Sequence, residues 1–198
     1  MIDKFSYFKF NFSELKVTAS EIFPLLGFGP GNNPGPYEQY IDEVLEFANQ
    51  NVNNISGSLC VSENIEFDTE NNKIRVDSLF FDSGKIVTRQ LRKCSSVAIF
   101  VCTAGPEIEE FSKQQMKIGN IPEGYVADIA GSVIVEAAMD KIQNDFAKHL
   151  KAEGLKNYKQ IQPWLLRLEC GRAAKAFFSV ACRSMWYSAY RIISNDSY

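Results

Sequence analysis

The order of hydrophobic and polar residues near the start of the chain predicts one strand and two helices. The sequence FKFNF at residues 8–12 alternates apolar and polar side chains, which is the period of a half-buried strand. Thr18 and Glu21 have the spacing of a capping box, which predicts a short helix that Gly27 ends. Glycine and proline then predict a loop over residues 27–36, and residues 37–52 have the apolar face of an amphipathic helix.

The middle of the chain predicts hairpins, a buried strand and a long helix. Short alternating runs in residues 64–91 are separated by TENN and DSG, which favour hairpin turns, so the last run, KIVTRQL, is also expected to be a strand. The apolar run at residues 96–105 predicts a strand covered on both faces, followed by a helix that begins at Pro106. An apolar stripe beginning at Tyr125 predicts a helix over residues 124–151, which Gly154 ends. These elements predict an α+β fold, a twisted and mainly antiparallel sheet with helices packed against it.

Composition favours one cytoplasmic domain. A chain of 198 residues can bury roughly 70% of its unfolded surface without a disulfide or a metal. The five cysteines form no C-x-x-C pair, which predicts reduced thiols and argues against a zinc site. The first residues, MIDKFSYFKFNF, carry too many charges for a signal peptide, and no uncharged apolar run approaches membrane-spanning length. A formal net charge of −3 argues against nucleic-acid binding.

The common catalytic and metal motifs are missing from the sequence. His149 is the only histidine, so it cannot build a two-histidine metal site, and we expect it at the surface or packed at a helix end. The glycines of residues 27–31 follow a helix and are mixed with prolines, which predicts a plain loop rather than a phosphate site. We therefore predict no catalytic residue and no metal ligand.

Two positions are candidates for ligand binding. In VCTAGPEIEE, Thr103 and Gly105 lie where a buried strand ends and a helix begins. Such a strand-to-helix turn either borders a ligand or only caps the helix. In GYVADIAGSVIVEAAMDKI the spacing puts Asp128 and Glu136 on one side of a helix, two turns apart and beside small residues. These carboxylates either meet a ligand or remain solvated or ion-paired.

These stretches, together with LGFGPGN, PYEQYIDEVLEFA and LFFDSGKIVTRQLRKCSS, resemble the activation domain of cobalamin-dependent methionine synthase, in particular its stand-alone relatives. The resemblance covers most of residues 20–155. It implies an α+β domain that binds S-adenosylmethionine and docks on a cobalamin-binding methionine synthase or a related corrinoid protein. On that partner, flavodoxin reduces a cobalt that has become oxidised, and the cobalt is then methylated again. The resemblance also puts Glu136 where the family has an acidic residue of the S-adenosylmethionine site, and a carboxylate suits a cationic ligand.

One family motif, R-x-x-P-G-Y, is expected just after Leu155 but is absent. Its arginine would hold the carboxylate of the ligand. The sequence changes character at the same place. Residues 157–198 contain both tryptophans and have six Lys or Arg against two Asp or Glu, a charge of +4 in an otherwise acidic chain.

A frameshift accounts for both observations. The possible codons from Asn157 onward can be read one nucleotide later. This shifted reading allows the sequence N-R-Y-S-P-G-Y-C-G-W, which contains the missing motif. Its glycine is the only residue that the codons of Trp164 and Leu165 permit at that position. We therefore divide the chain into an incomplete activation-domain-like part, residues 1–156, and an atypical, out-of-frame tail, residues 157–198. The alternative is a genuine helical C-terminus. An out-of-frame tail should make few contacts with residues 1–156.

The function that this interpretation implies is reactivation of cobalamin-dependent methionine synthase, in which the domain supports a methyltransferase rather than acting alone. Cobalamin would be carried by the partner. Two alternatives remain: a binding or scaffold domain of the same fold that has lost S-adenosylmethionine binding, and the nonfunctional product of a broken gene.

Overall fold

The computed structural model describes residues 5–29, 34–77, 79–92, 94–152, 158–161, 167–168 and 188–196. Their strands form two sheets. The first has the order β1-β2-β6-β9-β7, and the second has the order β3-β4-β5-β8. Every pair of neighbouring strands is antiparallel. The strands are β1 (Phe5–Phe10), β2 (Ile55–Ser62), β3 (Ile65–Asp68), β4 (Lys73–Val76), β5 (Leu79–Asp82), β6 (Cys94–Thr103), β7 (Tyr158–Ile161), β8 (Arg167–Leu168) and β9 (Ser188–Asp196).

Helices lie between the strands in sequence. All but the fourth, which packs in a second core on the opposite side, cover one face of the first sheet. They are α1 (Phe12–Leu15), α2 (Ala19–Ile22), α3 (Tyr37–Asn51), α4 (Gly84–Leu91), α5 (Pro106–Lys117) and α6 (Ile121–Ala152), with a 3-10 turn at Phe23–Leu26. The 32-residue helix α6 packs against α1, α2, α3, α5 and the strands β2 and β6. The predicted α+β fold is confirmed.

Strand β6 is buried on both faces, as its continuous apolar sequence predicts. Ala98, Phe100 and Cys102 point into the main core, which lies between the first sheet and the helices. Val97 and Ile99 point the other way, into a second core with side chains of β4, β5 and α4. Because successive side chains of a strand alternate in direction, this one strand joins the two cores.

Helix α6 approaches the sheet closely at a glycine. Gly57 pairs with Cys102 across β2 and β6. A Cβ atom at Gly57 would lie 2.5 Å from Ile142 Cδ1 and 2.7 Å from Cys102 Sγ. Nearby, the rings of Phe100 and Phe146 pack edge to face with their centroids 5.6 Å apart. The absence of a side chain at Gly57 is therefore what lets α6 sit this near to the strands.

Two secondary-structure predictions need correction. Strand β1 ends at Phe10 rather than residue 12, because Asn11 and Glu14 form a capping box that starts α1 at Phe12. The run KIVTRQL forms helix α4 rather than a strand. Its Val87, Thr88 and Leu91 are buried at helical spacing, and Thr88 Oγ1 donates a hydrogen bond to the Gly84 carbonyl.

The remaining helices and strands predicted in residues 5–152 hold with small shifts of their ends. Of the loop predicted over residues 27–36, residues 30–33 lie outside the described residues. Thr18 caps α2, the short turn ends at Gly27 with φ of 87°, and α3 covers nearly the whole predicted range. Helix α6 begins three residues earlier than predicted. His149 is exposed in its last turn. Gly154, the predicted helix stop, lies outside the described residues.

The tail contributes strands to both sheets. Strand β9 pairs with β6 from Cys94 to Thr103, and β7 pairs with β9. The prediction that residues 157–198 would make few contacts with the rest of the chain is therefore wrong for the described strands. The physical reason is that a buried central strand needs hydrogen-bond partners on both of its edges. The sequence between β8 and β9, which includes Cys170 and Trp186, lies outside the described residues.

Three cysteines lie among the described residues. Cys102 is buried in the main core, and Cys60 and Cys94 are half-buried. The described side chains form no cluster of three or more metal-binding residues. Among the described helices, none combines the length and the apolar character that crossing a membrane requires.

A substitution at Gly57 tests the close approach of α6. Gly57→Ala should destabilise the fold by about 1–3 kcal/mol, because the new Cβ overlaps Ile142. Ile142→Val alone should cost about 0.5–1.5 kcal/mol. The double variant should cost less than the sum, since the valine lacks the colliding Cδ1. Urea unfolding of the four proteins measures this coupling, and strictly additive losses would show that the two residues do not meet.

The capping box at α1 predicts a pH effect. The Asn11 backbone N–H donates to Glu14 Oε1 at 2.9 Å, and this hydrogen bond, with Lys141 close to Oε2, lowers the pKa of Glu14. A carboxylate whose folded pKa is depressed stabilises the fold above its unfolded pKa of about 4.3, and this contribution disappears as pH falls through the folded value.

Glu14→Gln keeps the cap but removes the charge. Its melting temperature should lie below that of the original protein at pH 7, and the gap should close as the pH falls below 4.3, in the range where the folded carboxyl protonates. Melting temperatures measured across that range provide the test. A gap that stays constant with pH would mean that the charge of Glu14 contributes nothing.

Candidate functional site

The end of β6 and the start of α5 form a tight junction. Thr103 is buried as the last residue of the strand, and its Oγ1 accepts a hydrogen bond from the Gly105 N–H at 3.2 Å. Gly105 has φ of 85° and ψ of 170°, a conformation that is open only to glycine. Pro106 then occupies the first turn of α5, where a missing N–H costs nothing. The predicted pair Thr103 and Gly105 thus shapes the turn from strand to helix.

A carboxylate and an amide hold this junction from the side. Asn54, just before β2, donates a hydrogen bond from Nδ2 to Oε1 of Glu107 in the first turn of α5. A Cβ atom on Gly105 would lie 2.5 Å from Glu107 Oε2 and 3.0 Å from Asn54 Cβ. Glu107 and Glu109 put two carboxylates in the first turn of α5, where they complement the helix dipole, and Glu109 pairs with Lys113.

A buried carboxylate oxygen lies at this junction. Glu107 Oε2 accepts no hydrogen bond from the described residues. A buried carboxylate oxygen left in this way costs free energy unless a donor reaches it. By sequence alone, Glu107 is only a favourable charge near the start of a helix. No local pattern connects it to Asn54, which lies 53 positions away in sequence.

The second predicted pair lies on α6. Asp128 is half-buried and Glu136 is exposed. Eight residues of α-helix separate them by about 12 Å along the axis, so they share one side of α6 without touching each other. Between them Ala130 and Gly131 are buried, and Ser132 Oγ lies 3.5 Å from the Asp128 carbonyl. Thr103 and Gly105 thus lie together at the junction between β6 and α5, and Asp128 and Glu136 lie on the same side of α6.

Comparison with known proteins identifies the fold. No protein-family model matches the chain, and no curated protein sequence matches it significantly. Among solved structures it is similar to the MetH reactivation domain bound to AdoHcy, with a TM-score of 0.59 and 8% identity over 97% of this chain and 78% of that chain. The chain therefore has the fold of the MetH reactivation domain, and at this identity the likeness shows the fold alone.

The crowding at Gly105 yields a testable prediction. Gly105→Ala and Gly119→Ala both place a Cβ where φ is positive, but only at Gly105 would that atom collide with neighbours. Gly119→Ala should cost about 1–2 kcal/mol of backbone strain. Gly105→Ala should cost more, and hydrogen exchange should become faster at the start of α5. Equal losses in chemical denaturation would show that Asn54 and Glu107 do not constrain this junction.

Proposed function

We propose that this protein is a reactivation module for a cobalamin-dependent methionine synthase or a related corrinoid protein. It would bind S-adenosylmethionine and orient the methyl group toward the cofactor of the partner. The observation that carries the proposal is the structural likeness over 97% of the chain to a reactivation domain that holds AdoHcy. AdoHcy is what remains of S-adenosylmethionine after its methyl group has been transferred. Because a shared fold supports but does not establish a shared activity, the site must be tested.

The carboxylates described above fit the charge of this ligand. S-adenosylmethionine carries a positive sulfonium and, at neutral pH, a positive ammonium group. Glu136 and Asp128 on α6 would attract these groups, and the junction at Thr103 and Gly105 would bring backbone close to the ligand. Cobalamin on the partner would supply the methyl-accepting chemistry. The contribution of this chain is therefore binding and orientation, which require no general base or nucleophile from it.

The carboxylate of the ligand has no matching group in the sequence as written. An arginine from R-x-x-P-G-Y would bind it in a bidentate manner, and residues 157–198 lack that motif. We propose that this part of the chain is read out of frame and that the shifted reading, with R-Y-S-P-G-Y, belongs to the functional protein. The pairing of β9 with β6 shows that the tail region occupies the sheet, so a restored sequence would have to supply a strand there as well.

The absence of the R-x-x-P-G-Y motif favours a second function. A domain of this fold without the arginine would serve as a binding or scaffold module for the partner and would not take S-adenosylmethionine. The two functions differ in one measurable property, saturable binding of the ligand.

The test compares the chain as written with a frame-restored chain. Isothermal titration of S-adenosylmethionine into the restored chain should give saturable heat, and a ligand concentration one hundred times Kd should stabilise it by about 2.7 kcal/mol. The chain as written should bind at least about tenfold more weakly, because a charge-assisted hydrogen bond is worth about 1.5–3 kcal/mol. No saturable heat from either chain would support the scaffold function.

Glu136→Ala in the restored chain should also weaken binding about tenfold, since it removes a carboxylate facing a cationic ligand. Asp145→Ala is the matched control, because Asp145 is an exposed acid of the same helix that pairs with Lys148. If both variants bind like the parent, Glu136 is not part of the site. A new DNA read across the codons of Lys156 and Asn157 decides which chain the cell makes.

A further inference from the structure

Strand β1 forms one edge of the first sheet. Among the described strands only β2 pairs with it, over all six residues from Phe5 to Phe10 and without a bulge. Its other edge therefore presents backbone N–H and C=O groups that no described strand uses. Lys9 is the only charged residue of β1, and the strand contains no proline. The strand thus lacks most of the features with which proteins keep a sheet edge from pairing with another chain.

The two faces of β1 differ in how they are covered. Phe8 and Phe10 lie on the helix side, where they pack in or against the main core with their rings stacked at a centroid distance of 6.3 Å. Because side chains alternate along a strand, Phe5, Tyr7 and Lys9 point to the opposite side. There Phe5 is 53% exposed and Tyr7 is 59% exposed. Two exposed aromatic side chains therefore lie along the outer edge of the sheet.

The sequence of β1 fits a second copy of itself. Facing residues of an antiparallel pair point to the same side of the sheet, so a two-fold axis perpendicular to the sheet pairs odd positions with odd positions. With the axis at Tyr7, the two Tyr7 side chains lie opposite each other, and Phe5 lies opposite Lys9 of the other copy. With the axis at Phe8, Phe5 would face Asn11, which is beyond the end of the strand. The register centred on Tyr7 therefore covers both exposed aromatic residues.

Charge and side-chain chemistry agree with this register. Opposed aromatic residues stabilise antiparallel strands, and the ammonium group of Lys9 beside the ring of Phe5 would form a cation–π contact. The two Lys9 side chains would be four residues apart along the strands, which is about 14 Å. This separation exceeds the Debye length of about 8 Å at physiological salt, so salt largely screens their repulsion. Like charges would therefore not oppose the pairing.

We propose that β1 is a dimerisation edge, at which two copies of the chain join by antiparallel pairing of residues 5–9 and continue the first sheet across a two-fold axis. This pairing uses the outer edge of β1 in both copies, so it gives a closed dimer rather than a growing fibre. It also covers an edge that would otherwise promote aggregation. Residues 5–9 are the same in either reading of the tail, and the dimer requires no S-adenosylmethionine, so its test is independent of the proposed function.

The experiment introduces charges at Tyr7 in the full chain. Tyr7→Lys and Tyr7→Glu each put like charges opposite one another across the axis, whereas an equimolar mixture of the two variants puts opposite charges there. Ile86→Lys and Ile86→Glu are the matched controls, because Ile86 is 69% exposed and lies on α4 rather than on β1. Sedimentation velocity at several protein concentrations measures the dissociation constant of the dimer. Hydrogen exchange measures the protection of the β1 amides, and circular dichroism checks that every variant is folded.

The parent chain should be a dimer that dissociates on dilution. Each Tyr7 variant alone should dimerise at least about tenfold more weakly, because the aromatic pair is lost and like charges are opposed. The mixture should recover most of that loss as a heterodimer, and the Ile86 variants should behave like the parent. Amides of residues 5–9 should exchange more slowly in the parent dimer than in monomeric Tyr7→Lys.

Several results would overturn the proposal. A parent chain that stays monomeric at every concentration has no such dimer, and slow exchange of its β1 amides would mean that the chain covers its own edge. A dimer that persists unchanged in both Tyr7 variants uses another surface. A mixture that associates as weakly as each variant alone has no facing pair at Tyr7. Growth of the parent beyond a dimer would show an open contact instead of a two-fold one.

Discussion

The two-sided burial of β6 is the constraint on which the rest of the structure depends. A strand with apolar side chains on both faces needs cover on both faces, and its backbone needs partners on both edges. The helices and the second sheet provide the cover, while β2 and β9 provide the hydrogen bonds. Of the two strands that the tail adds to the first sheet, β9 therefore lies inside the sheet and β7 forms its edge. Any reading frame that produces the functional protein must meet this requirement.

The same strand positions the candidate site. Because β6 ends at Thr103 in the core, the chain must turn sharply at Gly105 before α5 can begin. Glu107 and Asn54 then fix the angle between strand and helix. Helix α5 in turn packs against α6, which carries Asp128 and Glu136. The geometry of each predicted pair thus follows from one buried strand, and a disturbance of its packing would reach the site as well as the core.

The fold and the function rest on different kinds of support. The pattern of apolar residues specifies the layers of the fold. Two chains with only 8% sequence identity can therefore have the same fold, which here extends over 97% of this chain. Ligand recognition depends on a few side chains, of which the expected arginine is missing.

The sequence by itself determined the α+β class, the buried strand, most helices and the turn at Thr103 and Gly105, because these follow from local spacing and from the backbone demands of glycine and proline. Tertiary structure decided what local spacing cannot encode. The run KIVTRQL became a helix because its apolar side chains fill the second core, and Tyr125, the first residue of the predicted apolar stripe, is exposed rather than packed in the core. Asn54 contacts Glu107, and β9 pairs with β6, because folding brings together residues that are distant in sequence. Local sequence patterns cannot predict such long-range contacts.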